Sequence, residues 1–546
     1  MAEMNIKQII DRLNAEFTGD TRKLVFWYDD NGEFVEDMQN VELNNAKVYC
    51  LQPDNQFATK LFLERQDTTT NYLIYAPFPK PDVRDNHLED TLLYSRRFFA
   101  DRASLLSVDL GIDEKYKPII EKHIKFFANK ERTQRFYDLE IENFNEENII
   151  TGLLSAICRT RTCSFEEVIR VMLTDSELTD NKFLSEVEKY GLLDDFWKLC
   201  EQHFGYTDVK PTLEKLVVTM FVTYTAKYIG GELPKPWKVF LSYKAGNIIA
   251  FMDNLMNNIL YRGRYDELSA HVASGLNVQK AFSDYSPDDL VNCDTFLAID
   301  QILIKWIVER LLTEDVGAAL DGLTIPQICE KRSKMHFGEK TGGCYQMLDS
   351  AYQIIQAGNY RCPDSFKEIL RQYQEEDFRL DYEYRRFYSA YDQLEETAAF
   401  EPLRDLVENI YTNEYLETLL PKWNAAIQEP DSFMALPLQR DFYARNLKNA
   451  KERTVVIISD AMRYEVAATL AEELERENQS QVKLANMQSI FPSITKFGMA
   501  ALLPHTKLSI EVKNDVLTVL ADGQSTASTN RDKAVSYTHL TLPTIA

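Results

Sequence analysis

The stretch KERTVVIISDAMRYEV, residues Lys451 to Val466, runs from an apolar segment into an aspartate and then into a helical pattern. Its four apolar β-formers, Val455 to Ile458, are typical of a strand that is covered on both faces. From Met462 onward, apolar residues recur at helical spacing. The stretch therefore predicts a strand, a tight turn that contains Asp460, and a helix.

Asp460 has two interpretations in this setting. Ligands of open α/β sheets bind beyond the carboxyl ends of the strands, and a carboxylate is a hard oxygen ligand suited to a divalent cation. The same side chain could instead cap the following helix by accepting hydrogen bonds from its first amides. The segment alone leaves both interpretations open.

A second strand-to-helix pattern follows. VKLANMQ (Val482–Gln488) predicts a strand, and SIFPSITKFGMAALLP leads through Pro492 into an alanine-rich helix that begins near Lys496. A hydroxyl at this helix start, Thr495, lies where the helix dipole holds an anion or stabilises an alkoxide. Simple capping by Ser493 and Thr495 is the alternative. If Thr495 and Asp460 converge on one metal, that metal lowers the pKa of the hydroxyl and polarises a phosphoryl group.

Composition limits the possible functions. A chain of 546 residues is expected to form roughly three or four domains. Its 61 Lys and Arg against 85 Asp and Glu give a net charge of -24, which argues against general nucleic-acid coating and leaves nucleic acid only as a substrate or through partners. The eight cysteines show no CxxC spacing, and no apolar run reaches the roughly 18 residues of a membrane span. We therefore expect reduced thiols, no membrane association and a cytoplasmic location.

Residues 1–93 alternate strand and helix patterns, which predicts a small parallel α/β domain. The predicted segments are LVFWYDD (Leu24–Asp30), KVYCL (Lys47–Leu51), the helical FATKLFLERQ (Phe57–Gln66) and NYLIYAPF (Asn71–Phe78). Asp29 and Asp30 begin a DDNG sequence, for which a tight turn is favoured over a strand-end metal site.

Residues 94–430 show a 3.6-residue period, which predicts a long helical region. One apolar stripe within Leu213–Tyr228 is expected to pack in a helical core, and FGEKTGG (Phe337–Gly343) is expected to be a loop because it lacks the phosphate-loop spacing. The pattern loosens over 431–453, a predicted linker, and a second α/β domain is expected over 454–534.

Three motifs carry a family resemblance: ISDAMRYEVA (Ile458–Ala467), FPSITKFGMAALLP (Phe491–Pro504) and VLADGQSTASTNRDK (Val519–Lys533). They resemble the PglZ family of bacteriophage exclusion (BREX) defence systems, which belongs to the alkaline phosphatase superfamily. The resemblance implies an alkaline-phosphatase-like α/β domain at the C-terminus, behind the small α/β domain and the long helical middle. It also implies two divalent metal ions, usually zinc, and a Ser or Thr that attacks phosphorus.

The resemblance assigns roles to five residues. Asp460 matches the first metal ligand, and Thr495 matches the nucleophile, which also ligates that metal. Arg463 either clamps phosphate or pairs with Glu465, and Ser493 is a further candidate for phosphate binding or support. An Arg and a Glu in the first turn of a helix can equally form a local ion pair.

The pattern departs from the family toward the end of the chain. The further Asp and His ligands of the two metals do not follow Thr495, and VSYTHLTLPTIA from Val535 to Ala546 resembles translated sequencing-adapter sequence. We therefore expect an incomplete domain over 454–534, a non-native tail over 535–546, weak metal binding, exposed apolar strand faces and no Thr495-dependent phosphoester hydrolysis by this chain.

The resulting hypothesis is a cytoplasmic component of a BREX defence system that carries a metal-dependent phosphatase-type hydrolase domain and acts with the other BREX proteins. Two alternatives stay open: a non-catalytic scaffold of the defence complex, and a metal-dependent phosphodiesterase or nuclease. The phosphoester substrate is not defined by the sequence.

Overall fold

A computed structural model describes residues 2–39, 41–100, 102–428, 436–477 and 480–527. The chain divides into two compact units, residues 1–299 and 300–546. The boundaries expected from sequence at 93, 430 and 453 stay predictions, and the predicted tail, 535–546, lies outside the described residues.

The first unit begins with a small sheet and continues as helices. Its strands are β1 (Leu24–Tyr28), β2 (Lys47–Cys50), β3 (Tyr72–Ala76) and β4 (Arg96–Arg97). Its helices are α1 (Ala2–Glu16), α2 (Val35–Met38), α3 (Gln56–Leu61), α4 (Glu89–Leu93), α5 (Arg102–Leu110), α6 (Lys117–Lys122), α7 (Lys130–Asp138), α8 (Glu146–Cys158), α9 (Phe165–Thr174), α10 (Lys182–Lys189), α11 (Leu193–Phe204), α12 (Leu213–Tyr228), α13 (Ala245–Asn257), α14 (Arg262–Leu276), α15 (Val278–Phe282) and α16 (Pro287–Leu290).

The second unit is mainly helical up to residue 426, and its described part ends in a small sheet. After α17 (Leu297–Leu312), which crosses the division, its helices are α18 (Ile325–Lys334), α19 (Gly338–Gln356), α20 (Phe366–Gln372), α21 (Phe378–Tyr391), α22 (Glu401–Asn409), α23 (Glu417–Ala426), α24 (Phe442–Asn446), α25 (Tyr464–Arg476) and α26 (Thr495–Leu502). Its strands are β5 (Ala319–Leu320), β6 (Leu323–Thr324), β7 (Leu508–Lys513), β8 (Val516–Ala521) and β9 (Gln524–Ser525). Wider π-helical turns occur at Phe62–Gln66, Tyr373–Asp377 and Ile410–Leu416.

The N-terminal sheet confirms the predicted parallel α/β arrangement. Its strand order is β2-β3-β1-β4, and every pairing among them is parallel, with Val25 opposite Leu73. Central strand β1 is buried on both faces, because Trp27 packs into the cluster formed with α1 while Phe26 packs into a second cluster on the other side. A continuous apolar run is the pattern expected of such a doubly covered strand.

The helical region confirms the predicted stripe and corrects the predicted loop. Helix α12 buries the stripe from Leu213 to Tyr224 and also buries Thr219, Val222 and Thr223, so protein surrounds most of the helix. FGEKTGG is not a loop, because α19 begins at Gly338 within it. A Cβ on Gly338 would lie 2.1 Å from the carbonyl oxygen of Ser333, so a close backbone approach, rather than a phosphate loop, accounts for this glycine.

The strands predicted at Thr454–Ile458 and Val482–Gln488 are not formed in the structure. Within the described part of the chain, 454–458 pairs with no strand, and the second segment makes only one bridge, from Gln488 to Leu438. Val455 and Ile457 are 73% and 88% exposed. An apolar run becomes a strand only when another segment satisfies its backbone groups, and no described segment does so here.

Candidate functional site

The site begins at the turn after the exposed apolar segment. Asp460 is exposed, Ala461 adopts a left-handed conformation with φ of 57°, and α25 starts at Tyr464. Arg463, not Asp460, occupies the N-cap position of α25, and no side chain caps that helix. Asp460 therefore does not act as the helix cap that the sequence left open, and its carboxylate is directed to another partner.

That partner is Thr495. Its hydroxyl Oγ1 donates a hydrogen bond to Oδ2 of Asp460 over 2.9 Å, although the two residues are far apart in sequence. Thr495 is the first residue of α26, whose N-cap position is Ile494 and which also lacks a side-chain cap. The expected convergence of these two side chains is thus observed, at the positive end of a helix dipole.

Helix α26 is held in place by the hairpin that follows it. Phe497 and Ala500 pack against Val519 of β8, and the Lys496 ammonium donates to the carbonyl oxygen of Leu517 over 2.8 Å. In the segment that leads into α26, the amide of Ile490 donates to the side-chain oxygen of Gln439 over 3.1 Å. These contacts fix the start of α26, and with it the position of the Thr495 hydroxyl.

The hairpin itself was missed in the sequence, although its turns carry a signal. Asn514 and Asp515 join β7 to β8, and Asp522 and Gly523 join β8 to β9, all four with positive φ. Two-residue turns of this kind match the right-handed twist of antiparallel strands, and Asn, Asp and Gly adopt them most readily. The Asp522 carboxylate also accepts the amides of Thr506 and Lys507, and these hydrogen bonds lower its pKa.

The three supporting candidates lie in different environments. Arg463 and Ser493 are exposed, as Asp460 and Thr495 are. Glu465 is buried, with 1% exposure, and its Oε1 lies 3.3 Å from Nε of Arg385 on α21. Glu465 therefore takes its cation from α21 and makes no ion pair with Arg463 in the structure. Arg385 had no signal in the sequence, because the two partners belong to separate helices.

Few side chains at this site could bind a metal ion. Asp460 and Thr495 supply two oxygens, which suits a hard divalent cation. Across the described ranges, no group of three or more His, Cys, Asp or Glu side chains is placed to hold a metal ion. The two residues fit a metal as part of a ligand set, and no third acidic or histidine ligand from the described residues joins them.

Comparison with known proteins identifies the class of this region. Residues 441–542 match the family model described as the BREX system PglZ alkaline phosphatase-like domain. The second unit thus ends in an alkaline phosphatase-like domain that contains both Asp460 and Thr495. The match extends through residues 535–542, which the sequence pattern assigned to the non-native tail.

Two curated relatives extend the similarity over almost the whole chain. The alkaline phosphatase-like protein PglZ of Bacillus cereus (strain H3081.97) is 32% identical over 98% of this chain and 64% of its own length. The alkaline phosphatase-like protein BrxZ of Escherichia coli O9:H4 (strain HS) is 28% identical over 97% of this chain and 64% of its own length. The chain is thus similar to PglZ-family proteins over almost its whole length, and it spans somewhat less than two thirds of these relatives. No solved structure matches it significantly.

Two further observations concern membrane-spanning helices and the cysteine thiols. Among the helices that the structure describes, none is long and apolar enough to span a bilayer. None of the eight cysteines, all of which lie in the described ranges, forms a disulfide bond, and burial raises the pKa of Cys163 to about 11.

Proposed function

We propose that this chain is a component of a BREX defence system whose C-terminal domain performs metal-dependent phosphoryl transfer. The observation that supports this proposal is the 2.9 Å hydrogen bond from Thr495 to Asp460, which joins a candidate nucleophile to a candidate metal ligand in a domain of the alkaline phosphatase-like class. The proposal places Thr495 as the nucleophile and Asp460 as a ligand of the metal that Thr495 shares.

The side chains of this site have separate tasks in the proposal. Asp460 accepts the Thr495 hydroxyl proton in a hydrogen bond, so it orients Oγ1 and is placed to favour loss of that proton. A divalent ion, zinc by the family resemblance, would be held by Asp460 and Thr495 and would stabilise the alkoxide and polarise a phosphoryl oxygen. Arg463 and Ser493 are exposed, and in the proposal they bind phosphate oxygens.

The partners and the substrate follow from the relatives. The names PglZ and BrxZ support the other BREX proteins as partners and a phosphoester as the substrate. Phosphomonoester and phosphodiester hydrolysis use the same in-line attack, so a diesterase or nuclease acting on nucleic acid is the alternative within this chemistry. The strongly acidic chain would meet nucleic acid only as a substrate or through partners.

The proposal is tested by substitution in the complete gene. Thr495→Ala and Asp460→Ala are each expected to abolish phage protection while co-purification of the BREX proteins continues. Thr454→Ala is the matched control, because Thr454 is also an exposed threonine and its hydroxyl donates to the carbonyl oxygen of Glu452, two residues away. Protection that survives both site substitutions, with assembly intact, would favour the scaffold alternative.

Metal binding is tested on the 546-residue chain. Electron paramagnetic resonance with Mn²⁺ should show weak binding, because an ion held by two protein groups keeps most of its water. Asp460→Ala should remove this binding, whereas Thr454→Ala should leave it unchanged. Binding that is equal in the native chain and in Asp460→Ala would contradict the assigned ligand.

A further inference from the structure

The residues immediately after the Asp460 turn are fixed into the helical layer of the second unit. The Tyr464 ring lies 5.7 Å from the ring of Tyr373 and 5.6 Å from that of Phe378, and its hydroxyl donates to the carbonyl oxygen of Gln374 over 3.4 Å. Tyr464 therefore attaches the start of α25 to the π-helical turn that precedes α21.

The next residue makes a second attachment to the same layer. The Glu465 side chain is 2% exposed, and Arg385 of α21 is the cation that faces it, at 3.3 Å. A carboxylate loses its hydration when it is buried, so it is stable there only with a compensating charge. The register of α25 on α21 is consequently restricted to the one that brings Glu465 to Arg385.

These attachments are important because the described residues that precede the turn are not held in this way. Residues 454–458, which lead into Asp460, are exposed and pair with no strand among the described residues. The turn that carries Asp460 is thus anchored by the residues that follow it. We refer to Tyr464, Glu465 and Arg385 as the α25 anchor.

We propose that Arg385 and Glu465 are positioning residues, which hold Asp460 at hydrogen-bonding distance from Thr495 by fixing the start of α25 on α21. This inference rests on the proposed function, since it gives a role in metal binding to two residues that need not touch the metal. It also means that the helical layer of the second unit sets the geometry of the phosphatase-like site.

The test compares arginine substitutions on α21. Arg385→Ala is expected to raise the Kd for Mn²⁺ by about tenfold, a typical effect of losing a group that orients a metal ligand. Arg385→Lys retains the charge and should restore most of the affinity. Arg386→Ala is the matched control, because Arg386 is the next residue of the helix and pairs instead with Glu383 and Asp349 at 3.2 and 3.8 Å.

Hydrogen exchange supplies a readout that does not depend on the metal. The Ala467 amide donates to the carbonyl of Arg463 in the first turn of α25, and its exchange should accelerate in Arg385→Ala but not in Arg386→Ala. If Arg385→Ala lowers the melting temperature of the whole protein, Glu465→Gln replaces it, because the amide keeps the shape of the side chain and removes the charge.

The outcomes separate the two proposals. Unchanged Mn²⁺ affinity and unchanged Ala467 exchange in Arg385→Ala would contradict the positioning role proposed for the α25 anchor. Equal losses in Arg385→Ala and Arg386→Ala would also overturn it, because they would indicate general destabilisation of α21. If the native chain binds no Mn²⁺, the metal-dependent function is contradicted, and Ala467 exchange alone then decides whether the anchor holds α25.

Discussion

Two apolar runs in this chain end in an aspartate, but only the first forms a buried strand. In the first unit, β1 runs into Asp29, is buried, and pairs with strands on both sides. In the second unit, Val455–Ile458 runs into Ser459 and Asp460, is exposed, and has no paired strand within the described ranges. The two sequence patterns are alike, and only their neighbours differ.

The two aspartates differ in the same way. The Asp29 carboxylate is buried and accepts the amides of Glu33 and Phe34 at 2.9 and 2.8 Å and the hydroxyl of Tyr75 at 2.5 Å. Burial, together with the negative charge of Asp29, raises the pKa of Tyr75. Asp460 is exposed and accepts one hydroxyl, that of Thr495. An aspartate that follows an apolar run is structural when its oxygens are used by local hydrogen bonds, whereas one that remains accessible can serve a site.

The largest difference in unfolding free energy is expected between Trp27→Ala and Ile457→Ala. Trp27 is buried among Phe34, Tyr75 and Phe98, with ring centroids 4.9 to 5.4 Å away, so its truncation should cost about 3–5 kcal/mol of unfolding free energy. Ile457 is 88% exposed, and its truncation should stay within about 0.5 kcal/mol. Urea unfolding followed by circular dichroism measures both. A comparable loss in Ile457→Ala would show that 454–458 is covered in solution.

A smaller difference in unfolding free energy is expected between Asp29→Ala and Asp460→Ala. Asp29→Ala leaves two amides and a buried tyrosine hydroxyl without their acceptor and should cost about 2–3 kcal/mol. Asp460→Ala should change the unfolding free energy by less than about 0.5 kcal/mol, because Asp460 is exposed. Urea unfolding and Mn²⁺ titration of the same two variants should give opposite rankings. Equal stability losses would remove the distinction between a structural and an accessible aspartate.

The smallest expected effect is the pH dependence of the stability of the first unit. His123 is 1% exposed, and burial lowers its pKa, while a hydrogen bond with the carbonyl oxygen of Tyr190 at 3.3 Å partly opposes this. Between the lowered folded value and the ordinary value near 6.5, the unfolded chain binds more protons. Stability is therefore full above this window and falls as the pH drops through it.

Amide exchange in β1 at pH 7.5 and 5.5, corrected for the intrinsic exchange rates, measures this dependence. His123→Gln should flatten it, because glutamine does not titrate. A dependence that is unchanged in His123→Gln would assign the effect to other groups. Exchange in β8 of the second unit serves as the internal comparison and should not respond to the substitution.

Much of the fold could be predicted because its signals are local. Strands β1, β2 and β3, the stripe on α12 and the meeting of Asp460 with Thr495 were expected from periodicity, turn residues and the motifs around them, and each is observed, whereas β4 was not expected. The strands from Leu508 to Ser525 carry a local signal in the two turns that join them. Catalytic roles for the site residues stay predictions.

The sequence by itself determined where apolar segments begin and end, which residues follow them, and the resemblance to the PglZ family. Tertiary structure decided which apolar run becomes a strand, because the backbone of a strand must be paired by a segment elsewhere in the chain. It also decided that Glu465 faces Arg385 and not Arg463, since a buried charge takes the partner that packing brings to it. Pairing and burial depend on residues distant in sequence, and no local pattern records them.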